Sequence, residues 1–125
     1  MLKDLGIEYV KSSYRSGLWG HPFQVVTLNY VLEHALDPGA MLREVVRDLD
    51  RNGALVCIEV PDGIAFEKVD PDDDIFNSCH LWLFEPMSMT LLLNACGLEV
   101  MSLSRRKQIR GHYSLHIICR PYRVD

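Results

Sequence analysis

The apolar positions of the chain divide it into alternating strands and helices. Val25, Val26, Leu28, Val31 and Leu32 make a near-continuous apolar run, the pattern of a strand covered on both faces in a parallel sheet. A strand is therefore predicted from about Gln24 to Tyr30. Met41, Leu42, Val45, Val46 and Leu49 then recur at three- and four-residue spacing, with Arg43, Glu44, Arg47 and Asp48 on the other side. That period predicts an amphipathic helix to about Asp50, with Asp37 as its cap and Pro38 at its first position. Asn52-Gly53 stops it, Ala54 to Val60 reads as a second buried strand, and Pro61-Asp62-Gly63 as a turn. A second helix is predicted from about Pro86 to Cys96, ended by Gly97. "LEVMSLSRR" and "HYSLHIICRP" then alternate like two antiparallel strands joined near Gly111. At the other end "IEYVKSSY", residues 7–14, is expected to be a short strand, followed by the turn-rich "RSGLWGHP". Residues 64–84 show no clear period and read as a long loop, a length that in compact domains usually carries function or disorder.

Composition narrows this picture. A chain of 125 residues, 48% hydrophobic and 24% charged, fits one ordinary globular domain. The formal net charge of −4 provides no global attraction to nucleic acid or anionic membranes, so neither is expected as a partner. The one basic cluster, "SRRKQIR", reads as a solvated strand end or loop. Cys57, Cys79, Cys96 and Cys119 are widely spaced, with no C-x-x-C pair, as befits thiols of a reducing compartment. Cys57 and Cys119 lie in strand-like runs, where free cysteine serves as a small hydrophobe. Nothing resembles a signal peptide or a span of roughly 20 apolar residues, and a cytoplasmic location is the expectation.

Candidate chemistry gathers after the first strong strand. In open α/β sheets ligands bind beyond the carboxyl ends of the strands, where Asn29, Tyr30, Glu33 and His34 interrupt the apolar run. The plainer reading of Glu33 and His34 is that they satisfy backbone groups at the turn into the helix. Asp62 ends the next strand at the same sheet edge, and is placed either to contact a substrate or to form the turn before Gly63. "DPDDD", residues 70–74, lacks the spacing of a calcium loop and reads as a solvated acidic loop. No metal site is expected.

The segments "FQVVTLNYVLEHALDPGAMLREVVRDLDRNGALVCIEVPD" and "HLWLFEPMSMTLLLNACGLEV" together resemble the C-terminal half of a class I S-adenosylmethionine-dependent methyltransferase of the small-molecule type. The resemblance carries a Glu-His pair after a strand, a turn before the next strand, and a His-Leu-aromatic stretch leading into a helix. It implies an α/β fold, a partial Rossmann-like sheet, mostly parallel with an antiparallel C-terminal strand pair and helices packed on it. S-adenosylmethionine would be the cofactor, and a small molecule the methyl acceptor. By resemblance Asn29, Tyr30 and Glu33 line the cofactor side of the cleft, His34 is the base if the acceptor must lose a proton, and Asp62 and His80 face the substrate. A histidine, with an ordinary pKa of about 6.5, suits the role of base.

The family's glycine-rich cofactor loop and its acidic ribose-binding residue have no counterpart here. Gly17 and Gly20 do not follow a strand and open a helix as such a loop must. Three expectations follow: a methyltransferase part that is inactive as a lone chain, a non-catalytic remnant acting as a homo-oligomeric module, or one half of a split enzyme. The strand "QVVTLNY", residues 24–30, would lie at a sheet edge, so a homodimer or a complementing chain is the expected partner.

Overall fold

The computed structural model describes residues 3–76 and 79–123. Strand β1, Val25–Asn29, leads through a short 3-10 turn at Leu32–His34 into helix α1, Pro38–Asp48. The start of α1 is as the sequence predicts: the Asp37 side chain accepts from the Ala40 N–H at 2.8 Å, and Pro38 follows it. The helix ends two residues sooner than its apolar period suggests, because Leu49 turns extended and bridges in parallel to Phe23. Strand β2, Leu55–Pro61, comes next, then helix α2, Pro86–Ala95, and strands β3, Leu98–Lys107, and β4, Tyr113–Pro121. Helix α2 starts at Pro86, with the Ser88 hydroxyl accepting from the Glu85 N–H at 3.0 Å. It closes at Gly97, whose φ of +88° suits a residue without Cβ.

The four strands form one mixed sheet in the order β1-β2-β4-β3. β1 and β2 pair in parallel, Val25 opposite Leu55 and Asn29 opposite Glu59, with α1 as the crossover that parallel neighbours require. β4 then inserts between β2 and β3 and runs antiparallel to both. The α/β class, the antiparallel C-terminal pair and the helices on the sheet agree with the sequence reading. The parallel share is smaller than that reading implied, one pairing of the three in the described sheet.

Both helices lie on one face. Leu42, Val45 and Leu49 of the first helical segment and Met89 and Leu93 of α2 pack on Val56, Ile58 and Val60 of β2 and on Leu115, Ile117 and Cys119 of β4. Burial pushes the Cys119 thiol up to about 12, so that cysteine is a small hydrophobe as expected, while Cys57 is only half-buried. The opposite face is open among the described residues: Val25 is 57% and Ile118 41% exposed.

Two expectations are corrected here. Residues 7–14 form no strand. The segment just after them is drawn to α1 instead, with the Tyr14 hydroxyl donating to Asp48 at 2.6 Å and the Ser16 N–H to Glu44 at 2.9 Å. β1, read from its apolar run as covered on both faces, has no buried residue. It is an edge strand with helices on one side only, so Val26 and Leu28 pack partly on the core while Val25 faces outward.

Candidate functional site

The chain leaves β1 through a strained residue. Tyr30 has a φ of 53°, left-handed for a residue with a side chain, at a cost on the order of 1–3 kcal/mol. It is held there by its N–H on the Glu59 carbonyl and by its hydroxyl on the Glu59 carboxylate, both at 2.8 Å. The turn at Leu32–His34 then sends Leu32 into the core and leaves Glu33 buried beside it.

The loop entering α2 is stitched onto this turn. The Leu81 N–H donates to the Glu33 carbonyl at 2.8 Å, and the Trp82 indole N–H to the Ala35 carbonyl at 2.7 Å. In return, His34 Nδ1 lies 2.7 Å from the Cys79 carbonyl. Further on, Gly63 donates its N–H to the Phe84 carbonyl at 2.8 Å, and a Cβ at position 63 would stand 3.1 Å from that oxygen. A side chain there would push the two backbones apart by a few tenths of an ångström, which glycine avoids.

These contacts bring Glu33, His34 and His80 together at the carboxyl end of β1. His34 Nε2 lies 3.7 Å from a Glu33 carboxylate oxygen, and the two imidazole rings are 4.8 Å apart, centre to centre. His80 Nδ1 sits 2.6 Å from the Ile75 carbonyl. A carbonyl only accepts, so Nδ1 carries a proton on both rings and Nε2 is the ring atom left for another partner. Glu33 is 1% exposed, and neither of its carboxylate oxygens has a hydrogen-bond partner among the described residues. Burial pushes its carboxyl above the ordinary carboxylate range, and its own backbone N–H, then His34 and His80, pull it part of the way back.

A cavity of about 490 Å³ opens over this group. Tyr30, Glu33, His34, Ile75 and His80 line one side, and residues 108–110 with His112 and Tyr113 from the β3–β4 turn line the other. Of the sequence candidates, Tyr30, Glu33, His34 and His80 meet here. Asn29 lies apart, in a hollow of about 200 Å³ on the open face with Glu59 and His116. Asp62 is fully buried and is not in the cavity wall. It accepts from the Ile64 N–H at 3.1 Å and pairs with Arg105, whose guanidinium lies 5.6 Å from the Tyr113 ring centre. Asp62 therefore supports a wall residue through Arg105.

The sequence reading missed the β3–β4 turn. Its basic residues read as a solvated end, and only the alternation of "HYSLHIICRP" hinted that His112 and Tyr113 stand at the same sheet edge as Glu33. The acidic run is a set of local turns: Asp70 accepts from the Asp72 N–H and Asp73 from the Ile75 N–H, each at 2.9 Å. His112 Nε2 lies 3.2 Å from Asp73, tying the loop to the hairpin.

No protein-family model matches the sequence, and no curated protein matches it significantly. Solved structures do. A Clostridium acetobutylicum S-adenosylmethionine-dependent methyltransferase superposes with a TM-score of 0.66 over 96% of this chain and 68% of its own, at 8% identity. The chain has a class I methyltransferase fold. A Burkholderia thailandensis 1,6-didemethyltoxoflavin-N1-methyltransferase, solved with S-adenosylhomocysteine bound, gives 0.62 over 79% of this chain and 44% of its own, at 18% identity. The [4+2]-cyclase SpnF gives 0.65 over 96% and 59%, at 11% identity. This methyltransferase-like chain thus spans less than two thirds of those last two proteins. Among the described residues no helix is long and apolar enough to cross a membrane.

Proposed function

We propose that this chain supplies the acceptor side of an S-adenosylmethionine-dependent methyltransferase domain that acts on a small molecule. The observation that carries the reading is the cavity beyond the carboxyl end of β1, where the fold places ligands, lined by a buried carboxylate and two imidazoles whose Nδ1 atoms are engaged by backbone carbonyls. Tyr30 and Glu33 suit the side of a cationic methyl donor, since an unpartnered buried carboxylate attracts positive charge. Asn29, in a separate hollow, does not reach it. S-adenosylmethionine, when bound, supplies an electrophilic methyl group. His34 Nε2, with Nδ1 committed to the Cys79 carbonyl, is placed to take the proton an acceptor loses. His80 and Tyr113 shape the acceptor pocket.

The sequence contains no G-x-G-x-x-G run, so the polar grip on the donor must come from elsewhere. Calorimetric titration of the isolated chain with S-adenosylmethionine should give affinity weaker than low micromolar, that is, less favourable than about −8 kcal/mol. Low-micromolar affinity that weakens in Tyr30→Phe and Glu33→Gln would show the chain self-sufficient and overturn this division of labour.

The exposed edge of β1 supports a second proposal. A strand with no partner on its outer side among the described residues, and with Val25 57% exposed, invites pairing, and two-fold pairing with a second copy is the commonest solution. The lone chain is then a dimer in solution. Light scattering that holds near the 14.3 kDa monomer mass on concentration contradicts it. Val25→Lys, at an exposed position, should shift a dimer toward monomer without unfolding the core.

A further inference from the structure

We propose that Glu33, His34 and His80 form a binding site for a divalent transition metal of the zinc type. Among the described residues these three side chains converge, each offering a ligand atom, with all three atoms within 4.8 Å of one another. Two imidazole nitrogens and one carboxylate oxygen are the ligand types that zinc and its neighbours prefer over calcium or magnesium, which favour oxygen throughout.

Two further features point to a cation. Each imidazole is oriented by a backbone carbonyl on Nδ1, the Cys79 oxygen at 2.7 Å for His34 and the Ile75 oxygen at 2.6 Å for His80. Such outer contacts fix the tautomer and present Nε2 as the ligand. In addition, Glu33 is 1% exposed with both carboxylate oxygens lacking a hydrogen-bond partner. A buried carboxylate without donors is costly unless a positive charge meets it. Bonds of about 2.0–2.2 Å to zinc set neighbouring ligand atoms roughly 3–3.5 Å apart, so binding draws the three groups in by about an ångström. Among the described residues three protein ligands converge, and a fourth position faces the cavity of about 490 Å³, as in zinc sites that receive a water or substrate.

The site lies in the cleft of the proposed methyltransferase, and a metal there takes the His34 lone pair that proton abstraction would use. The two readings of His34 are exclusive, and a test without methyl donor separates them. The protein is stripped with a chelator and titrated with Zn²⁺ in a calorimeter, and its thermal midpoint is followed with and without Zn²⁺. We expect one saturable site that raises the midpoint. Glu33→Gln, His34→Gln and His80→Gln should each weaken it about tenfold or more, while His21→Gln and Cys79→Ser leave it unchanged. Glu33→Gln is the decisive variant: in stripped protein it should keep or raise the midpoint, by removing a buried unpartnered charge, and it should abolish the rise with Zn²⁺. A merely structural Glu33 would lower the midpoint in both states. No saturable binding, binding that withstands all three substitutions, or binding lost in Cys79→Ser, which marks a thiolate site, overturns the proposal.

Discussion

The two faces of the sheet differ far more than the strands that make them. In β4, Leu115 and Ile117 point to the helices and are at most 1% exposed, while the intervening His116 and the following Ile118 face the other way, Ile118 with 41% of its surface in water. The covered face is apolar and closed by α1 and α2. The open face mixes apolar residues with a polar network, in which Glu59 accepts from the Tyr30 and Ser114 hydroxyls and from Gln108, with His116 Nε2 at 3.1 Å. A strand's alternation records that two faces exist. It does not record whether both have been given a layer.

Substitutions on opposite sides of one strand should break this comparison most sharply. Leu115→Ala empties a fully buried site and should cost about 2–5 kcal/mol in urea unfolding. Ile118→Ala should cost under about 1 kcal/mol. A cost at Ile118 near that at Leu115 would mean that the open face is covered in solution by something the described residues do not supply. Next in size, Asp62→Ala removes a buried carboxylate and strands Arg105. Because Arg105 is 43% exposed and can turn to water, the loss should be about 1–3 kcal/mol. It should also loosen Tyr113, which nuclear magnetic resonance of the hairpin would register. Asp37→Ala tests the cover itself: removal of the α1 cap should cost about 1 kcal/mol, read from the thermal midpoint.

The smallest expected effect is confined to a pH range. The Glu33 carboxyl titrates above its ordinary range in the folded protein, so the folded state holds that proton more tightly than the unfolded chain. Its stabilising contribution is complete below the unfolded value, about 4.3, and is lost as pH rises through the raised folded value. Glu33→Gln should flatten the dependence of stability on pH between these limits in metal-free protein. A slope unchanged from wild type would show that another group titrates there.

Much of the covered side could be read from residues alone. Asp37-Pro38 start α1, Pro86 and Gly97 bracket α2, and the turn near Gly111 separates β3 from β4, each through local backbone chemistry. The cleft was legible for the same reason, since Glu33 and His34 interrupt an apolar run at a strand end. What escaped depends on neighbours. The run at Val25–Asn29 is as apolar as that of β2, yet β1 is an edge strand because no described segment pairs beyond it. "IEYV" has a strand's composition and no strand to join. His80 was a substrate-side candidate by resemblance, and only the fold of the loop brings its ring to His34. Asp62 was a turn residue and a substrate candidate on paper, and its pairing with Arg105 spans 43 positions of sequence.

The placement of β4 between β2 and β3 has a consequence for the order in which this chain can assemble during synthesis. β1, α1 and β2 are made before the rest of the sheet and can form their parallel unit early. The second edge of β2 then waits for residues 113–121, and β3, although made before them, has among the described strands only β4 to pair with. Until β4 arrives, Val56, Ile58 and Val60 lie beside an unfilled gap. Contacts of such long sequence separation form slowly, and a nascent chain holding an open apolar strand is prone to aggregate. A chain cut short before Tyr113 would therefore lose the centre of its sheet, although it lacks only one hairpin strand.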